Sequence, residues 1–132
     1  PHIAMLSFSN FGSNDSPQAR KVARAVELIR QNAPNLDVDG EMQVGAALDV
    51  EQRERLFDFC TMKSEANILI FPELNSANIG YKLMRHLGGA DLVGPILLGM
   101  RRPVNVLERD CRVRTIVNMA AITVVQSQEM DQ

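Results

Sequence analysis

The sequence predicts an α/β fold, a layered and mostly parallel sheet with helices on both faces. Short apolar runs bounded by turn residues alternate with longer stretches of helical period, which is the pattern of strands joined by crossover helices. The last such stretch is apolar around much of its circumference, as befits a helix that wants burial on more than one side. No internal repeat is present.

Ile3 to Phe8 (IAMLSF) reads as a buried strand, followed by a loop from Ser9 to Asp15 rich in Ser, Asn and Gly. Ser16 is placed to cap the next helix and Pro17 to occupy its first position. Ala19, Val22, Ala23, Val26 and Ile29 form the apolar stripe, and Asn32 to Asn35 ends it. Leu36 to Gln43 (LDVDGEMQ) alternates apolar and acidic residues around Gly40, consistent with a strand that bends or meets another backbone closely. A less regular helical stretch covers about Val44 to Phe59. Asn67 to Phe71 is a short strand ended by Pro72, and Ser76 to His86 is a helix stopped by Gly88 and Gly89. Leu92 to Leu98 is expected to be a strand, or a strand broken at Gly94-Pro95. The final helix begins near Arg112, with Val113, Ile116, Val117, Ala120 and Val124 on one face.

At 132 residues and 45% hydrophobic, the chain has the composition of one globular domain. Its 14 basic and 16 acidic residues are mixed along the sequence, which provides no footprint for nucleic acid or an anionic membrane. Any anionic ligand must therefore be held locally. Cys60 and Cys111 lack the spacing of a disulfide framework or a zinc site, so a reducing, cytoplasmic setting is expected and no metal site. Neither a membrane span nor an export signal is apparent. Because the chain opens on Pro1 and passes at once into an apolar strand, it is expected to be a piece of a longer polypeptide.

Ser7, Ser9, Gly12 and Ser13 follow a strand and precede a capped helix, where hydroxyls and backbone N–H groups can cradle a phosphate or simply form a turn. Asp37, Asp39 and Glu41 recur at period two. Their spacing does not fit a calcium loop, and a solvated or arginine-paired strand face is the simpler account. His2 and His86 have no triad partners at motif spacing, and Cys111 reads as a small buried hydrophobe, so no acyl-enzyme chemistry is indicated.

Three stretches together resemble the phosphate acetyl/butyryltransferases. SFSNFGS (7–13) is similar to the family's S-F-S-x-x-G-S, and PELNSANIGYKLMRHLGGADLVGPILLG (72–99) to P-D-L-N-A-G-N-I-x-Y-K-x-x-x-x-L-x-x-A-x-x-x-G-P-I-L-x-G. PVNVLERDCRVRTIVNMAAITVVQ (103–126) is similar to P-V-N-D-L-S-R-G-C-S-x-x-D-I-V-N-x-x-A-I-T-x-x-Q. The resemblance runs from Ile3 to about Gln128. It implies an isocitrate/isopropylmalate dehydrogenase-like architecture and makes residues 1–132 the C-terminal portion of a transferase-like domain. By the same resemblance Lys82 lies by a coenzyme A nucleotide, and Arg109, Ser9, Gly12, Ser13 and Cys111 are further candidates for acyl-CoA or phosphate binding.

Acetyl transfer needs a base for the thiol and donors for the carbonyl oxygen as it gains negative charge. The resemblance assigns the second role to a serine-arginine pair and the first to an aspartate seven residues after that serine. Here the serine position holds Glu108, the arginine survives as Arg109, and the aspartate position holds Thr115. Threonine cannot accept a proton near neutral pH as a carboxylate can. A carboxylate about 4 Å from a phosphate or oxyanion costs roughly 1 kcal/mol in water and about 4 at an intermediate dielectric.

The eroded pattern looks like the transferase-like module fused behind the catalytic domains of bacterial NADP-dependent malic enzymes. That resemblance implies a non-catalytic, acetyl-CoA-sensing domain that holds no cofactor itself and has acetyl-CoA as its effector. Malate oxidation, with NADP and a divalent metal, would reside in the upstream malic-enzyme domains. A homo-oligomer, dimer or higher, is expected, with the final helix as interface or as core. An active phosphate acetyltransferase and a purely structural oligomerisation platform are the alternatives.

Overall fold

The computed structural model describes residues 1–130, which fall into two compact units, Pro1–Tyr81 and the chain from Lys82 onward. In order the elements are β1 (His2–Leu6), α1 (Pro17–Asn32), β2 (Asp37–Met42), α2 (Val44–Leu48), α3 (Val50–Leu56), β3 (Ile68–Ile70), α4 (Leu74–His86) and α5 (Val113–Met130). The unit boundary falls inside α4.

The first unit is built on a three-stranded parallel sheet in the order β2-β1-β3. Alternation along β1 sends Met5 to one face, where it packs with Val38, Val22 and Val26 beneath α1. Ala4 and Leu6 point the other way, into a core with Met42, Ala46, Ala47, Cys60, Met62 and Ala66. Val38 and Met42 are four residues apart, yet they lie in opposite cores. The register explains this: Met5 pairs with Gly40 but Leu6 with Met42, so the strand carries an extra residue that reverses its faces. Gly40, at φ +136°, is required there, because a Cβ would sit 2.5 Å from the carbonyl oxygen of Met5.

Local chemistry sets the helix boundaries. The Ser16 hydroxyl accepts from the Ala19 N–H at 3.1 Å and Pro17 opens α1, as the sequence predicts. Between Val44 and Phe59 one expected helical stretch is two. Asp49 closes α2 with its backbone N–H and opens α3 by accepting from the Gln52 N–H at 2.8 Å. Helix α4 starts two residues before Ser76 because the Glu73 carboxylate accepts from the N–H groups of Asn75 and Ser76, both at 2.6 Å. These bonds hold the Glu73 carboxyl below its ordinary pKa.

In the second unit, α4 ends at the expected glycines, with Gly89 at φ +63° and the N–H groups of Gly88 and Ala90 returning to the Met84 carbonyl. The strand expected over Leu92 to Leu98 does not form; that segment has no regular structure. Gly94 sits at φ +154° and Pro95 has no N–H to give a ladder. Helix α5 starts at Val113, one residue after the expected position. Its only buried residue in this chain is Met119, whereas Val113 and Val117 are 76% and 60% exposed. Among the described residues no helix is long and apolar enough to cross a membrane.

Candidate functional site

The loop after β1 does cradle an anion, and that anion belongs to the protein. Glu41 is buried, and its Oε1 accepts from the Ser9 hydroxyl at 2.9 Å and the Gly12 N–H at 2.7 Å. A serine hydroxyl has one proton to donate. With that proton on Glu41, the 3.2 Å contact between Ser9 and Ser13 leaves Ser13 Oγ as donor. Ser9 Oγ also accepts from Asn14 N–H at 3.0 Å, and Ser13 Oγ from Asn10 N–H at 2.9 Å. Phe11, at φ +47°, gives its N–H to the Glu41 carbonyl at 2.7 Å and packs its ring 5.1 Å from Phe57 and 5.2 Å from Phe59. Ser9 is thus fully buried, while Gly12 and Ser13 lie exposed at the loop surface.

The three carboxylates around Gly40 have separate partners. Asp37 meets the His2 ring at 2.5 Å, and Asp39 pairs with Arg30 at 2.6 Å. The other Asp39 oxygen accepts from the Thr61 N–H at 2.8 Å, the Thr61 hydroxyl at 2.9 Å and the Cys60 thiol at 3.1 Å. Burial pushes the Asp39 carboxyl up, but the bonds from Cys60, Gly40 and Thr61 outweigh it and leave the pKa lowered. Burial together with the Asp39 charge pushes Cys60 up to about 11, so its thiol is neutral and unreactive. Arginine pairing accounts for Asp39 alone, and Asp39 and Glu41 are buried rather than solvated.

Within the second unit the 103–126 motif separates into a frame and a charged turn. Asn105 is the hub of the frame. Its Oδ1 accepts from the Leu97 N–H at 3.1 Å, and its Nδ2 donates to Thr123 Oγ1 and Gln126 Oε1, both at 2.9 Å. One amide side chain therefore ties the irregular segment before it to α5, using three residues of the motif.

The charged turn carries the residues that differ from the transferase pattern. Glu108 places one oxygen 3.2 Å from Lys82 Nζ and the other 3.5 Å from an Arg85 nitrogen. Arg109 follows in an exposed turn, and half-buried Cys111 donates its N–H to the Glu108 carbonyl at 3.2 Å. Thr115 lies in the first turn of α5, its N–H on the Arg112 carbonyl at 2.9 Å. The sequence alone brings out Lys82 and Arg109 but misses Arg85, whose signal is its position three residues after Lys82 on one helix face.

Residues 1–124 match the family of phosphate acetyl/butaryl transferases. The chain belongs to that family. A phosphate acetyltransferase of Acetivibrio thermocellus is 45% identical over 128 residues, which is 97% of this chain and 39% of that protein. The NADP-dependent malic enzyme of Escherichia coli is 44% identical over 129 residues, again 97% of this chain but 17% of the relative. A phosphotransacetylase structure from Streptococcus pyogenes superposes with a TM-score of 0.91 at 43% identity, covering 98% of this chain and 39% of that one. The mostly parallel α/β architecture is thus that of the transferases, of whose length the chain spans about two fifths.

Proposed function

We propose that this chain is an acyl-CoA-binding, non-transferring module, the C-terminal part of a transferase-like domain in a cytoplasmic NADP-dependent malic enzyme. Acetyl-CoA is the proposed effector, and NADP and a divalent metal belong to the upstream malic-enzyme domains. The observation that carries the proposal is the charged turn. Where the transferase pattern has a serine to donate to an oxyanion, Glu108 places a carboxylate between Lys82 and Arg85. Thr115 supplies no base. What remains are two cations suited to the phosphates of a nucleotide, Lys82 and Arg85, which meet at Glu108, with Arg109 and Cys111 following Glu108 in the chain as further candidates. For Ser9 and Gly12, contact with a phosphate would require exchange with Glu41, and for Ser13 exchange of its bond to Ser9.

Inhibition of the distant malate site would follow from acetyl-CoA preferring one arrangement of the domains or subunits. The exposed apolar residues of α5, including Val113, Val117 and Val124, support a homo-oligomer in which that preference could be expressed. Calorimetry of the full polypeptide with acetyl-CoA tests the reading: saturable binding below millimolar ligand is expected, and no heat at millimolar ligand would sink it. An active phosphate acetyltransferase remains the second reading, favoured by the 45% identity to an enzyme of that name. Phosphate-dependent appearance of free thiol from acetyl-CoA separates the two.

A further inference from the structure

The second unit concentrates positive charge that the whole-chain balance conceals. Residues 82–132 hold seven basic against five acidic side chains, while residues 1–81 hold seven against eleven. Within this basic unit Glu108 is 38% exposed and contacts Lys82 and Arg85 at once, both of them reachable from solvent. Exposed ion pairs of this kind add little to stability, usually below about 1 kcal/mol, so the contact has little structural purpose. Its electrostatic consequence is larger, because a carboxylate and a phosphate compete for the same donors.

We propose that Glu108 is a built-in competitor for the anion site. Its carboxylate occupies the Lys82/Arg85 pair, and a phosphate-bearing ligand binds by displacing it, with Glu108 swinging into solvent. Affinity is thereby held down, and the site answers only to high ligand concentration, as a sensor of an abundant metabolite requires. The acyl-CoA identity of the ligand rests on the function proposed above; the competition itself needs only a phosphate group.

The test uses the full polypeptide as wild type, Glu108→Gln, Arg85→Ala and the double variant. Each is titrated with acetyl-CoA by calorimetry and with inorganic phosphate by phosphorus NMR. Glu108→Gln keeps the shape of the side chain and removes its charge, so acetyl-CoA should bind about five- to tenfold more tightly. In the Arg85→Ala background that gain should fall to about twofold or less. Measurable wild-type binding that Glu108→Gln leaves unchanged or weakens would overturn the competition and leave acyl-CoA binding standing. Phosphate binding tightened by Glu108→Gln, with no acetyl-CoA binding to either form, would keep the competition and remove the acyl-CoA reading. No anion binding to any form would overturn both.

Discussion

The two units bury their side chains very differently. Among the described residues, 1–81 contain thirteen of the fourteen buried hydrophobic side chains and all four buried polar ones, whereas Met119 alone is buried in the second unit. In the first, charge is enclosed and bonded: Glu41 by a loop, Asp39 by Arg30 and Thr61, and Arg53 by three carbonyls, with its Nε left without a partner. In the second, charge stays at the surface, where its partners can exchange. Buried and satisfied polar groups fix a structure, and exposed pairs leave donors available to a ligand.

The largest effect that would sharpen this contrast is at Arg53. Its guanidinium is fully buried and donates to the carbonyls of Ala46 at 2.7 Å, Ala47 at 3.1 Å and Ser64 at 2.6 Å. Arg53→Met should cost about 3 kcal/mol in denaturant unfolding, because those buried acceptors lose their donors. Asp39→Asn comes next, at about 2 kcal/mol, discounted because Arg30 is itself half exposed. Asp39 also imposes a sign on pH dependence. Its folded pKa is lowered, so its contribution is complete above the unfolded value of about 3.9 and is lost as pH falls through the folded one. Acid unfolding of Asp39→Asn should lack that component.

Asn105→Ala should cost about 1 kcal/mol, read as faster amide exchange in α5 with little change in β1. Equal acceleration in β1 would show that the two units open together. The smallest effect belongs to Glu108→Gln, whose melting should shift by no more than about 0.5 kcal/mol. A larger loss would make Glu108 a structural residue.

Most of the first unit's order was legible in the sequence because its signals are local. Ser16 and Pro17 mark the start of α1, Gly40 marks a close backbone approach, and apolar runs mark the strands. The split at Asp49 had a signal in the Asp49/Gln52 spacing of a capping box. The expected strand at Leu92 to Leu98 failed because an apolar run is only half of a strand's requirement, and Gly94-Pro95 denies the ladder. Buried Arg53 has no sequence signal, since a charged residue on a short helix reads as solvated. At the candidate site, Glu108 and Thr115 stood out against the family pattern. That Glu41 fills the serine loop and that Glu108 reaches both Lys82 and Arg85 depends on long-range geometry that spacing does not encode.

Binding without transfer is tested by a single assay. The full polypeptide is given acetyl-CoA with and without inorganic phosphate, and free thiol is followed over time. A module that binds without transferring gives the same background rate in both. Thiol release that needs phosphate and saturates with acetyl-CoA would contradict it and make this chain part of a working transferase.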